Sequence, residues 1–276
     1  MKGFISADVL WIDEYSLIDA SQWCHLCTLL YNPEPVQVIL SGDWNQLAPV
    51  DSRYKGTAIL RQTAQNSWLF WRLCGGTRLT LTECRRSASE GELFAFYSSL
   101  AEGGSREHTQ LEACISEAMA LFPVRAQADY YLCVSHAKRT AINRRLMNSL
   151  RPKGSTWLKK VAAPGLASEP QSMWIWAGQE VIICCRGTAH GLRHNTRDRI
   201  REISAEHVFL DSGVRLTYEL ASKHLRPPYA CTYHSAQGLE FKGLLHLTDL
   251  QSVHLTRAHL LVGMSRATDG RLLQLG

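Results

Sequence analysis

Two apolar runs, each ending in carboxylates, constrain this chain more than any other feature. Residues 4–12 are mostly apolar and stop on Asp13-Glu14; residues 36–40 are apolar but for Gln37 and stop on Ser41-Gly42-Asp43. Between them, residues 17–31 have helical spacing, with Trp23, Leu26 and Leu30 recurring on one side, until Asn32-Pro33-Glu34-Pro35 breaks the pattern. Strand, helix and strand within about 35 residues is the signature of a βαβ unit in a parallel α/β sheet. Continuous apolar strands belong to sheets buried on both faces. Ligands of such sheets gather at the C-terminal strand ends, where Asp13, Glu14 and Asp43 fall.

The pattern then changes style. Residues 93–122 are mainly helical in spacing, interrupted near Gly103-Gly104, and residues 128–134 read as another strand. Residues 138–150 read as a helix that is basic on one side through Lys138, Arg139, Arg144 and Arg145. Residues 151–172 carry Pro, Gly, Ser and Lys without periodicity and are expected to form a loop. Residues 174–185 and 206–218 alternate apolar with polar, as antiparallel strands of a small barrel do. Residues 229–233 and 241–247 return to the buried-strand style. The stretch 255–276 reads as helix, turn and a short strand at 272–275. A chain of 276 residues accommodates one large domain or two small ones.

The strand ends carry the chemistry. An aspartate there holds Mg²⁺, directly or through water, and a neighbouring glutamate deprotonates an attacking water. On its own, an acidic dipeptide is more often a solvated turn. Gly42-Asp43-Trp44-Asn45-Gln46 shifts that balance. Gly42 lets the chain turn sharply, and Gln46 is suited to bonding a phosphate oxygen and a water at once. Cys24 and Cys27 have zinc-like spacing, but no second C-x-x-C pair exists, so a buried helix face is expected rather than zinc.

Composition narrows the classes. No apolar run reaches the ~18–20 residues of a membrane span, and Asp8 interrupts any signal-peptide core. A soluble, intracellular protein with reduced thiols is expected from the nine cysteines, an odd number. The net charge of +5 is compatible with an anionic partner without demanding one.

Five segments, in order, resemble the motifs of superfamily 1 helicases. Residues 9–16 (VLWIDEYS) are similar to the Walker B motif and residues 40–50 (LSGDWNQLAPV) to the third motif. Residues 81–87 (LTECRRS), 231–241 (CTYHSAQGLEF) and 262–268 (VGMSRAT) resemble the fourth, fifth and sixth. The IDEYSLID context and Gln237-Gly238 look most like the RecD/PIF branch, associated with 5′-to-3′ unwinding. The resemblance implies an α/β chain. Residues 1–90 would be part of a first RecA-like parallel-sheet domain. Residues 91–276 would be a second RecA-like domain with a small SH3-like β-barrel insert at about 174–225.

It also implies roles. Asp13 would hold Mg²⁺, Glu14 would be the catalytic base, Gln46 would sense the γ-phosphate, and Arg266 would be an arginine finger. Arg86 would supply a second arginine, with Arg85 as the alternative. Gly42, Asp43, Gly238 and Glu240 would line the nucleotide, ATP with Mg²⁺, in a cleft between the two domains. Thr232, His234 and Gln237 would couple ATP to a single DNA strand, with RNA as an alternative. Ser135, His136, Arg139 and Asn143 sit where the second motor domain touches the DNA backbone, or else form an ordinary basic helix face. The arginine-rich segment 186–201 either tracks a phosphate backbone or is a solvated loop.

One motif of the family is missing. No G-x-x-x-x-G-K-[S/T] loop and no Gly-Lys pair occurs in the chain. The expectation is therefore the C-terminal part of an ATP-dependent DNA helicase, inactive alone, whose N-terminal motor segment is truncated or separately encoded. The alternative is a non-catalytic remnant that binds single strands or a protein.

Overall fold

The computed structural model describes residues 8–31, 36–49, 53–54, 57–58, 65–81, 91–102, 108–161, 170–185 and 188–276. The side chains of 53, 54, 57, 58, 102, 108, 109, 188 and 189 are not part of that description. Arg85, Arg86, Arg186, Gly103-Gly104 and most of the fourth motif lie outside it. The chain divides into two compact units, Met1–Arg85 and Arg86–Gly276.

In the first unit, β1 (Val9–Ile12) pairs in parallel with β2 (Gln37–Leu40), Ile12 opposite Leu40. The crossover helix Ala20–Cys27 starts at a capping box: the Asp19 carboxylate accepts from Gln22 N at 2.8 Å, and Gln22 Oε1 accepts from Asp19 N at 2.9 Å. A short antiparallel pair follows, β3 (Arg53–Tyr54) with β4 (Thr57–Ala58), then helix Trp68–Leu73 capped by Ser67. Alternate strand residues point to opposite faces. Val38 and Leu40 pack into a cluster with Trp23, Trp44, Phe70 and Leu73. The other face carries Val9, Trp11 and Ile39 and is exposed, Trp11 by 69%. The strands are thus half-buried rather than covered on both faces, because among the described residues the packed helices contribute to one side only.

The second unit is built on a four-stranded parallel sheet, ordered β15 (Ala230–Thr232), β5 (Tyr130–Cys133), β16 (Leu245–Leu247), β17 (Leu273–Leu275). Helices Gly91–Glu102, His108–Leu121, His136–Leu150 and Arg257–Met264 accompany it. Leu132, Cys133, Leu245, Leu247 and Leu273 are fully buried, as strands covered on both faces require. This is the α/β architecture expected from the sequence.

Between helix His136–Leu150 and β15 the chain turns antiparallel. β6 (Thr156–Leu158) pairs with β7 (Met173–Ile175), and β9 (Thr188–Ala189) with β10 (Leu192–Arg193). A five-stranded sheet is ordered β13 (Arg215–Thr217), β12 (His207–Leu210), β11 (Arg197–Ile203), β8 (Glu180–Ile183), β14 (Leu225–Arg226). Its own core holds Val181, Ile183, Ile200, Val208, Leu210 and Leu216. Among the described residues no ladder joins β13 to β14. β6 lies inside the stretch expected to be a loop; at three residues it is too short to show a period.

Candidate functional site

In the first unit the strand ends make one acidic edge. The parallel register brings Ser41 beside Asp13: Ser41 Oγ donates to Asp13 Oδ1 at 2.6 Å and accepts from Trp11 Nε1 at 2.8 Å. Glu14 N donates to the same Asp13 oxygen at 3.0 Å. Asp13 is therefore held by one oxygen while its carboxylate stays exposed. Glu14 has φ 53° and ψ 47°, a left-handed conformation that costs a residue with a side chain roughly 1–2 kcal/mol. Tyr15 N and Ser41 N close the turn, bonding Ser41 O and Ile12 O at 3.0 and 2.9 Å.

Gly42 is required there: a Cβ would stand 2.8 Å from Tyr15 N. Asp43 caps its own turn, accepting from Asn45 N at 2.8 Å, and Gln46 N reaches Asp43 O at 3.2 Å. Beneath this turn Trp44 packs against Tyr15 at 4.8 Å and Phe70 at 5.5 Å between ring centroids. Burial, and then the Asp43 carboxylate, pushes the Tyr15 phenol above its ordinary pKa. The edge thus stands on a rigid aromatic base. Its hard oxygen donors suit a hydrated Mg²⁺.

In the second unit the C-terminal ends of β5, β15 and β16 form a second edge. Ser135 caps helix His136–Leu150, its Oγ accepting from Lys138 N at 3.2 Å. Asp249, after β16, accepts from Val134 N, Ser135 N and Ser135 Oγ, all at 3.2 Å. Thr232 Oγ1 accepts from Ser235 N at 3.2 Å and lies 2.9 Å from Ser235 Oγ, at the start of the turn His234–Ala236. Gln237 is buried, and its carbonyl accepts from Asn195 Nδ2 at 3.0 Å. Gly238 has φ 75°, a conformation glycine adopts without strain. Accessible at this edge are Ser135, His136, Gly238 and Glu240, with His234 half-buried.

His234 stacks edge-on to His259 at 5.4 Å, and His259 stacks edge-on to Tyr233 at 5.5 Å. Burial, helped by His234, depresses the His259 pKa to about 4. It is thus neutral at physiological pH, and its Nδ1 accepts from Thr256 N at 3.1 Å. Burial raises the Cys133 and Cys231 thiols to about 12, so neither is a nucleophile or ready metal ligand. Among the described residues no three His, Cys, Asp or Glu side chains gather as a metal group, Cys24 and Cys27 included.

Several expected site residues are placed inside the fold. Asn143 is 2% exposed, and its amide exchanges two hydrogen bonds with the Ala230 backbone, at 2.8 and 2.9 Å. Arg139, on the same helix, is buried. Arg266 is 3% exposed; its guanidinium donates to Val262 O, Leu239 O and Ser265 Oγ at 3.2, 3.4 and 3.0 Å. It ties the sixth motif to the fifth. The sequence reading missed Ser41, Asp249 and Asn195. Asp249 follows an apolar strand as Asp13 does, so the same signal was available for it. Nothing local marks Asn195.

No protein-family model and no curated protein matches the chain. Solved structures do. A Pif1 helicase from Candida albicans aligns over 97% of this chain and 71% of its own, at TM-score 0.63 and 16% identity. A Pif1 helicase from Bacteroides in complex with ADP-AlF3 and ssDNA aligns over 98% and 70%, at 0.66 and 18%. Bacteroides Pif1 bound to ssDNA aligns over 97% and 70%, at 0.64 and 17%. At such identities the likeness is one of fold: the chain has a Pif1-helicase fold over nearly its whole length.

Proposed function

We propose that this chain is the Walker B-to-sixth-motif portion of a superfamily 1 DNA helicase of the RecD/Pif1 type. The observation that carries the reading is the acidic edge, in which Asp13 is locked by Ser41 and Glu14 is held in a strained turn. Strain of this kind persists where the surrounding structure over-determines it, and it clusters at functional sites. The ligands are those named for the Bacteroides neighbour, a nucleotide and a single DNA strand.

Each residue then has a task. Asp13 orients bound Mg²⁺, Glu14 takes a proton from the attacking water, and Gln46 positions that water. Bound Mg²⁺·ATP supplies the scissile phosphate and most of the charge neutralisation. Ser135, His136 and His234 line the strand-end edge of the second unit and hold the DNA strand. Arg266 acts on phosphate only once its guanidinium leaves Val262, Leu239 and Ser265. The phosphate-binding loop has to come from outside these 276 residues. The burial of Arg266 favours a second reading, a single-strand-binding remnant without hydrolysis.

The test is phosphate release with single-stranded DNA. The chain alone should be inert; fused behind a P-loop segment from a Pif1 helicase, it should hydrolyse ATP and lose that activity with Glu14→Gln. Turnover of ~1 s⁻¹ or more by the chain alone, within the usual enzyme range, sinks the proposal. So does an active fusion indifferent to Glu14→Gln.

A further inference from the structure

From residue 130 to residue 168 the chain contains no Asp or Glu, while Lys or Arg recurs at 138, 139, 144, 145, 151, 153, 159 and 160. The structure gathers part of this charge around an aromatic stack. β6 and β7 turn Leu158, Met173 and Ile175 into the core and leave Trp157 exposed, while Trp174 is partly buried against that core. Trp157 pairs with Trp174 across the ladder, ring centroids 4.9 Å apart. The Arg151 guanidinium lies 4.4 Å above the Trp174 ring. Arg151, Trp174 and Trp157 thus follow one another in contact, the two rings inclined at 56° and Trp157 48% exposed. Lys159 follows Trp157 by two residues, one past the end of β6, and is also exposed.

The base of the stack is fixed. Trp174 N donates to Met147 Sδ at 3.1 Å, which ties the hairpin to helix His136–Leu150. On that helix Arg144 and Asn148 lie four residues apart on one stripe and are exposed, and Arg151, also exposed, is the extended residue that caps the helix. The stripe runs away from the Ser135 edge, because a helix after a parallel strand returns toward the strand's start. A cationic line therefore leads from the helix to a ring with an open face. Exposed stacking aromatics flanked by phosphate-binding cations are how proteins hold single strands without reading sequence.

We propose that Arg144, Asn148, Arg151, Trp174, Trp157 and Lys159 form a binding track for single-stranded DNA, with a base stacked on Trp157. This track is separate from the strand-end edges above and rests on the same reading of DNA as the ligand. Trp157 supplies a sequence-tolerant π face, and Arg151 polarises the Trp174–Trp157 pair from behind while Lys159 meets a phosphate.

The experiment titrates the full chain with a labelled oligothymidine of about 16 nucleotides, at two salt concentrations. Trp157→Ala should weaken binding by about 5- to 100-fold, the range for loss of one stacked base. Trp157→Phe should keep most of the affinity. Lys159→Gln should flatten the log–log salt dependence by about 0.7, the value of one lost phosphate contact. In the wild-type chain, a strand carrying 5-iodouracil should cross-link on irradiation to the peptides holding Trp157 or Trp174. That readout survives even if a variant fails to fold. Unchanged affinity in folded Trp157→Ala, cross-links confined to the Ser135 or His234 turns, or no binding at low salt each overturns the track. The proposed function fails by a different sign, an active fusion indifferent to Glu14→Gln.

Discussion

Asn143→Ala separates a structural role for this asparagine from a DNA-binding one. β15 is the edge strand of the parallel sheet, and its Ala230 directs both N–H and C=O away from β5. The Asn143 amide meets both groups, as a peptide of a further strand would. Truncation leaves two buried backbone groups without those partners, at about 1–3 kcal/mol each, so the cost should be about 2–6 kcal/mol. Hydrogen exchange followed by mass spectrometry on the peptide containing Ala230 measures this locally. A loss of 2 kcal/mol corresponds to exchange faster by about 30-fold, since each 1.4 kcal/mol is tenfold. Binding of single-stranded DNA per folded molecule should be unchanged at low salt. A protection loss below about 0.5 kcal/mol, the range of an ordinary surface substitution, together with weakened DNA binding, would refute the reasoning.

Three further outcomes follow from the same geometry. The His259 pKa is depressed to about 4 in the fold against about 6.5 unfolded. The unfolded chain therefore takes up the proton first as pH falls. Stability present above pH ~6.5 should decline by up to about 3 kcal/mol towards pH ~4; His259→Gln, which retains a capping acceptor at that position, should flatten this slope in urea titrations. Gly42→Ala places a Cβ 2.8 Å from Tyr15 N and should cost the first unit about 1–3 kcal/mol; an unchanged unfolding midpoint contradicts the required close approach. In an active fusion, Arg266→Ala should cut turnover by roughly 10³–10⁵ if its fork reaches phosphate, and near wild-type rates per folded molecule would leave it the purely structural tie seen here.

Much of the fold was legible because its signals are local. The run ending in Asp13-Glu14, the helical spacing after it and the run ending in Ser41-Gly42-Asp43 gave β1, the crossover helix and β2 in place. The alternation after residue 174 gave an antiparallel sheet, and the return of apolar runs gave β15 and β16. Less was legible where elements are short. β6 has three residues, and the stretch expected to be one helix at 17–31 is two 3-10 turns around Ala20–Cys27. The reason is Asp19, whose capping box starts the helix later than the apolar spacing suggests.

The sequence by itself determined which residues stand at strand ends, because an apolar run and the polar residue that stops it are neighbours in the chain. Asp13, Glu14, Gly42 and Thr232 all sit where the runs place them. Only the tertiary structure decided which side chains at those ends remain open. Asn143 is spent on Ala230, 87 residues away, and Arg266 on Leu239, 27 residues away. Asn195 reaches Gln237 across 42 residues, and Ser41 locks Asp13 across 28. A basic or polar residue on a helix reads the same in sequence whether it faces water or an unpaired strand edge. The difference is the free energy of a buried backbone group that needs a partner, and that partner is set by how the elements pack.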